Sequence, residues 1–439
     1  MEITKVIVGL EVHVELRTDS KMFCGCPADH FAKQPNTQTC PVCLGLPGTL
    51  PVPNKKAVEW TILLGSALGC EIPRSSRFDR KNYFYPDLPK GYQISQYQNP
   101  FAIKGSFLLG SGKTVYIRRV HLEEDTAKLL HETVEGEKVS LIDFNRSGVA
   151  LVEIVTEPDM NSSDEAKEYL EKLQQLVRYL GISDADMEKG SMRCEPNVNL
   201  EIKDGENTFF TPIAELKNIN SFRFVKKAID YETKRQFAEF GEKRIQKAKG
   251  NKQTRGWDEA KLITFPQREK EEANDYRYFP EPDIPPIEWS EEQISNFKFQ
   301  ISKYELPWVK KQRFVDQYGL NDYQAKILTD DKKTADFFDE CLKIGNVDAT
   351  VAANVIINKK APSNLTPRQI ADFILSSKIA PKVSNEEIDQ LIEKLLKEHP
   401  ETVEGYKKGK PQALGLIVGQ VKKNLGVVVS IEKITGKIK

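Results

Sequence analysis

Three titratable side chains, Glu11, His13 and Glu15, alternate with Val12 and Val14 in the run Val6–Leu16, whose even positions are all apolar. Side chains of a strand alternate with period two, so the three polar groups share one face. Two carboxylates flanking an imidazole are half a ligand set for a hard divalent ion; the alternative is the solvated face of a half-buried sheet. Two further acidic sets resemble the first. His121, Glu123, Glu124 and Asp125 follow the run TVYIRRVHL, and Glu153 interrupts the apolar LVEIV. A carboxylate in such a strand needs a partner, because an unpaired buried charge is costly. A salt bridge to Arg118, Arg119 or Arg146 satisfies that need, and so does a metal.

A second constellation is made of sulfur. Cys24 and Cys26 form a CxC pair, and after thirteen residues Cys40 and Cys43 form a CxxC pair with Pro41 and Gly45 nearby. Four thiolates in two close pairs close a tetrahedral zinc site, and a closed site has no position left for catalysis. A redox pair is the competing reading. The seven cysteines are odd in number and no leader-like segment opens the chain, which argues against a disulfide framework. Gly110-Ser-Gly-Lys-Thr114 is not a phosphate loop: Phe107 stands where the pattern requires its first glycine, and the segment reads as a hairpin turn. Arg77–Asp87 mixes basic residues, aromatics and an amide, a composition suited to phosphates and a stacked base. Arg193, Glu195, Asn197 and Asn199 share one strand face, and Glu215 and Lys217 another.

The elements that position these groups follow from periodicity. Strands are expected at Val6–Leu16, Ile103–Leu109, Thr114–Leu122, Val139–Asp143, Leu151–Thr156, Arg193–Ile202 and Ile213–Lys217. Helices are expected at Lys55–Leu68, from an N-cap at Ser163 to Gly181, and over Ser221–Phe240. The proline-rich stretch Tyr278–Ile287 is extended and reads as the exit from a mixed domain. Beyond it the chain is nearly all helical, except that VVVSI near the end favours a strand. With 439 residues and 39% hydrophobic content, two or three domains are expected. The 64 basic and 64 acidic residues balance, so nucleic acid could be held only by local patches. No apolar run reaches membrane-spanning length, and a cytoplasmic location is expected.

VGLEVHVEL, SKMFCGC, FDRKNYFYPDLPKGYQISQY, HLEED, GSMRCEPNVNL, ELKNINSFR, RGWDE and EEANDYRYFPEPDIPP together closely resemble the B subunits of the aspartyl/glutamyl-tRNA(Asn/Gln) amidotransferases. The resemblance is dense over residues 3–290 and looser beyond. It implies an α+β fold: a cradle domain on antiparallel β-sheet with flanking helices (1–289) carrying the zinc site, an all-helical domain (290–384) and a helical tail domain (385–439). It implies ATP-dependent amidation of misacylated Glu-tRNA(Gln) and/or Asp-tRNA(Asn) through a phosphorylated side-chain carboxylate. The ammonia would come from a partner amidase (glutaminase), with a small third partner bracing the pair; no amidase-like Ser-Ser-Lys signature appears here. The resemblance places Mg²⁺ on Glu11, His13, Glu123, Glu124 and Glu153, with Glu11, His13, Glu124, Glu153 and Lys81 as the catalytic set. It places ATP or phosphate on Lys81, Asn82 and Arg193, and structural Zn²⁺ on Cys24, Cys26, Cys40 and Cys43. Two departures stand out. Gln98 replaces a usual acidic residue, and the end NLGVVVSIEKITGKIK replaces a glycine-rich turn and lysine-rich helix, which puts docking of tRNA by the tail in question.

Overall fold

The computed structural model describes residues 1–267, 276–345, 347–359, 365–378, 385–425 and 429–438. The chain divides into two compact units, Met1–Pro307 and Trp308–Lys439. The first is built on a large sheet whose spatial order runs Ile263–Pro266, Gln253–Asp258, Ala214–Lys217, Met192–Asp204, Glu2–Glu15, Ala150–Thr156, Thr114–Glu124, Ala102–Leu108. Its pairs are antiparallel except Ala214–Lys217 with Gln253–Asp258, which is parallel. The first strand is therefore central, and its Val8, Leu10, Val12 and Val14 are buried on the core side. Glu11 and His13 alternate with them on the opposite face, as period two requires.

Helix Ser163–Leu180 buries Tyr169, Leu173, Leu176 and Val177. Its N-cap is Ser162, whose side chain accepts from the Glu165 amide, rather than Ser163. Ser163 lies in the first turn, and its hydroxyl donates to Asp230 at 2.5 Å. Gly181 ends the helix in the left-handed conformation (φ 71°) that a residue lacking Cβ adopts without strain. Helix Phe222–Lys243 starts at the Ser221 cap and packs on the Met192–Asp204 strand. The GSGKT segment is a hairpin turn, and Lys113 binds Asn161 and, at 2.9 Å, Glu165. The proline-rich stretch folds back on the body: Phe279–Pro280 pairs with Asp79–Asn82, and Ile287–Glu288 with Ser75–Ser76. Helix Glu291–Ser302 follows in the same unit.

The second unit is helical. Pro307–Tyr318, Asp322–Asp330, Lys332–Lys343, Ala349–Ile357 and Pro367–Lys378 enclose a core that includes Phe314, Leu328, Phe338 and Ile374. Asn385–Glu398, Pro400–Lys407, Gly415–Leu425 and Ile431–Thr435 enclose another, around Ile392, Ile417 and Ile434. The expected strand at VVVSI is not formed where the chain is described. Val429 is buried in this core, and Ser430 caps helix Ile431–Thr435 by accepting from the Lys433 amide; Val427 and Val428 lie outside the described residues. A capping serine outweighs the weak strand preference of its valine neighbours.

Candidate functional site

The polar face of the sheet floors an open cleft of about 840 Å³. Register assembles it. His121 lies opposite Glu153, Glu153 opposite His13, and His13 opposite Arg193, so four strands contribute one continuous row. A β-bulge completes the arrangement. On Thr114–Glu124 the buried apolar positions are first Val115 and Ile117, then Val120 and Leu122. The register slips between Ile117 and Arg119, which inverts the parity of everything that follows. As a result Arg119, His121 and Glu123 face the cleft, and Glu124 faces away.

Glu153 sits between two imidazoles, with one carboxylate oxygen 3.0 Å from His121 Nε2 and 3.4 Å from His13 Nε2. Glu123 approaches the same two rings, at 3.7 Å from His13 and 3.6 Å from His121, and accepts from Ser95 Oγ at 2.9 Å. Arg119 Nε lies 3.3 Å from His121 Nδ1, while His121 Nε2 faces Glu153; burial works against a charge on His121, but Glu153 and then Glu123 raise its pKa. The His13 Nδ1 atom is buried and has no hydrogen-bond partner among the described residues. Burial works against a charge on His13, but Glu153 and then Glu123 outweigh it and push its pKa up to about 9. Glu153 is buried, yet the two histidines hold its carboxyl well below the usual range. Glu123 is also shifted down, its burial overcome by His121, Lys81 and His13.

One ligand atom each from His13, Glu123 and Glu153 lie within 4.8 Å of one another, a group able to hold a metal ion. Two carboxylates in a wide cleft suit Mg²⁺, which keeps room for waters and phosphate oxygens. Lys81 lines the same cleft and feels the charge of Glu123 and Glu153. Burial opposes its charge, but Glu123, Tyr278 and Glu153 raise its pKa further. Its ammonium lies 5.1 Å from the centre of the Tyr276 ring. Arg193 lines the cleft and donates to Asp125 at 2.6 Å. Glu11 lies one strand step away, outside the three-residue group, and accepts from Asn197 Nδ2 at 2.9 Å. Burial, then Glu153, raises its pKa.

Two residues of the expected set do not line this cleft. Glu124 points into the body, binds Lys90 and accepts from the Ile94 amide at 2.9 Å. Asn82 donates its side-chain amide to the Arg277 carbonyl at 2.7 Å, fastening its strand to the neighbouring segment. The arginines offered as partners for Glu153 are engaged elsewhere, Arg118 with Glu157 and Arg146 with Asp125 and the Thr126 carbonyl. Glu215 and Lys217, on the strand next to Arg193's, extend the same face: Glu215 lies opposite Asn197, and Glu215 and Lys217 line the cleft. Lys217 binds Glu195 and Glu215, at 2.5 and 2.8 Å. The sequence grouped His121 with its neighbouring acids and offered Arg119 as an ion-pair partner of Glu153 without giving either a role at the site, and it did not indicate the Tyr97–Tyr278 stack (centroids 4.5 Å apart, planes at 11°). The parity switch at Arg118-Arg119 was the available signal for the first two.

Cys24, Cys26, Cys40 and Cys43 converge, with their sulfurs within 4.8 Å of one another and all four thiols free. The Cys40–Cys43 sulfur separation of 3.9 Å matches the edge of a tetrahedron with metal–sulfur bonds of about 2.3 Å. The Cys40 amide donates to Cys43 Sγ at 3.2 Å, a contact that favours the thiolate form of that sulfur. The Cys43 thiol is held down to about 4, first by hydrogen bonding from Cys24, with Lys21 assisting. The donor set fits zinc.

Residues 6–295 match the family model of the GatB/GatE catalytic domain, and residues 350–429 that of the GatB domain. The chain is 44% identical to the B subunit of the aspartyl/glutamyl-tRNA(Asn/Gln) amidotransferase from Thermomicrobium roseum, over 96% of this chain and 95% of that protein. It is also 44% identical to the B subunit of the same name from Thermotoga maritima, over 94% of each. No helix among the described residues is long and apolar enough to cross a membrane.

Proposed function

The chain belongs to the GatB/GatE family, as a B subunit of the glutamine-dependent, tRNA-dependent amidotransferases, and from that premise we propose that its cleft activates the side-chain carboxylate of a misacylated tRNA with ATP. The substrates are Glu-tRNA(Gln), Asp-tRNA(Asn) or both. The observation that carries this reading is the row His121–Glu153–His13–Arg193, with Glu123 and Lys81 beside it. A carboxylate is a poor acyl donor because its leaving group would be oxide. Attack of that carboxylate on the γ-phosphorus of ATP gives an acyl phosphate and ADP; attack of ammonia on the acyl carbon then expels phosphate and leaves the amide. His13, Glu123 and Glu153 would hold Mg²⁺, which supplies charge neutralisation for the phosphoryl oxygens. Lys81 faces the same oxygens and stabilises the charge they gather. Arg193, fixed by Asp125, offers its remaining donors to phosphate. His121 orients Glu153 through Nε2–H, as an outer partner orients a metal-binding carboxylate. The ammonia is delivered by a partner glutaminase, braced by a small third component, and the four cysteines hold structural zinc.

The test is ATP consumption by this chain co-purified with its amidase and small partner proteins, given Glu-tRNA(Gln), Mg²⁺ and glutamine, with amidated aminoacyl-tRNA measured in parallel. Coupled ATP use and product are expected. Glutamine hydrolysis without ATP use would overturn the reading and leave a tRNA-binding scaffold.

A further inference from the structure

Lys21 is among the largest fully buried side chains of the molecule, with none of its surface exposed. Its ammonium donates to the Gln38 carbonyl at 2.8 Å, the Phe144 carbonyl at 3.3 Å and Cys43 Sγ at 3.6 Å. Among the described residues no carboxylate forms an ion pair with it. A buried ammonium facing only carbonyls is an uncompensated charge, and such charges are expensive. A zinc ion with four thiolate ligands has the opposite problem, a net double negative charge in a partly buried loop. Each answers the other, and the contact falls on Cys43, the buried one of the four cysteines.

The position of Lys21 is enforced from both sides. Its amide donates to the Cys26 carbonyl at 2.9 Å, so the backbone of Lys21 clasps one ligand pair while its side chain reaches the other. Its aliphatic stem runs beside Gly148, where an added Cβ would lie 3.6 Å from Lys21 Cδ and 3.4 Å from Cys43 Cβ. The Gly148 amide in turn donates to the Asp125 carbonyl at 2.9 Å, and the Asp125 carboxylate holds Arg193.

We propose that Lys21 is a positioning and charge-balancing partner of the four-cysteine metal centre, donating to the Cys43 thiolate and bolting the ligand loop to the segment from Phe144 to Gly148. This rests on the zinc reading of the cysteines. The cation lowers the energy of the Cys43 sulfur lone pairs, which retains the metal and restrains the thiolate as a nucleophile. Outer partners of this kind change metal affinity by about 10–100-fold.

The test uses the full-length chain, with metal content measured first; a wild type purified without metal and unable to take up Zn²⁺ or Co²⁺ overturns the zinc reading itself. In Lys21→Met, transfer of zinc to a chromogenic chelator is expected to be about 10–100-fold faster, and the sulfur-to-cobalt charge-transfer band of the Co²⁺-loaded chain is expected to move to lower energy. Lys21→Gln, which keeps a donor and loses the charge, is expected between the two and serves if Lys21→Met does not fold. Asn145→Ala is the control for simple loosening. Asn145 holds the same loop, accepting from the Gln38 amide at 2.8 Å and donating to the Gln34 carbonyl at 2.7 Å, without touching sulfur. It is expected to leave the band in place. Unchanged retention and band position in the Lys21 variants, or an equal band shift in Asn145→Ala, would overturn the proposal.

Discussion

Glu153→Gln removes one charge from the centre of the row with almost no change in volume, so no cavity contribution obscures the result. Two consequences follow. The first is a pH-dependent loss of stability in protein freed of added divalent ions. The pKa of His13 is raised from 6.5 to about 9, chiefly by Glu153 working against burial. A raised imidazole pKa means that the folded state binds the proton more tightly. Its stabilisation is complete below pH 6.5 and is lost as pH rises through 9. At 1.36 kcal/mol per unit the shift amounts to about 3 kcal/mol, an upper limit because Glu123 supplies part of it. The depression of the Glu153 carboxyl by His121 and His13 is the same pairing seen from its other side, so it fades with their charge as pH rises and adds no separate contribution. Glu153→Gln is therefore expected to be less stable than wild type by up to roughly 3 kcal/mol at about pH 6, with the gap closing by about pH 9.5. Denaturant unfolding at a series of pH values measures it. The second consequence is loss of a metal ligand: added Mg²⁺ or Mn²⁺ should raise the wild-type unfolding temperature and not that of the variant, and ATP turnover in the assembled enzyme should fall at least about 100-fold. A stability gap that ignores pH would refute the charged pairing of His13 with Glu153. Wild-type turnover by the variant would refute the metal-ligand assignment.

Three further outcomes are expected. Glu124→Gln deprives the partly buried Lys90 ammonium of its counter-charge and should cost about 1–3 kcal/mol of stability while leaving Mn²⁺ binding by calorimetry unchanged, whereas Glu123→Gln should abolish that binding. Lys81→Met should lower ATP turnover about 100-fold in the assembled enzyme, with folding intact by circular dichroism. Cys40→Ser should reduce bound zinc, measured by elemental analysis, from one equivalent to nearly none and lower the unfolding temperature, because binding free energy at such a site is folding free energy.

Alternation made the first strand and its polar face legible in sequence, because a half-buried strand writes its orientation into every second residue. The cap at Ser162 lay one residue from the expected one: two adjacent serines both fit the pattern, and only the chain direction at the turn decides between them. Strand pairing was not legible. Nothing local says that Glu153 lies opposite both His13 and His121, because register is fixed by long-range packing. That the face of Glu215 and Lys217 adjoins the face of Arg193 was not legible for the same reason. The two runs are neighbours in one sheet, and their polar positions fall in phase.

The pair Glu123-Glu124 shows how much chemistry turns on parity. Read outward from Val115 and Ile117, odd positions belong to the core, and Glu124 would face the cleft. Read backward from Leu122 and Val120, even positions belong to the core, and Glu123 would face it. Both readings cannot hold for an unbroken strand, and the conflict falls on Arg118-Arg119, where the register slips. A bulge inserts one residue and so exchanges the two faces beyond it. Without it, His121 and Glu123 would turn into an apolar core that could not offset their desolvation, and Glu124 would lose Lys90 and the Ile94 amide. The bulge thus lets one strand serve a dry core at one end and a charged cleft at the other. Deleting Arg118 should therefore cost more than its exposed pair with Glu157 is worth, since about 0–1 kcal/mol is all a surface ion pair contributes. Arg118→Ala, which keeps the residue count, should be near neutral in stability and in Mn²⁺ binding, while the deletion should lose both; equal effects of the two changes would refute a role for parity.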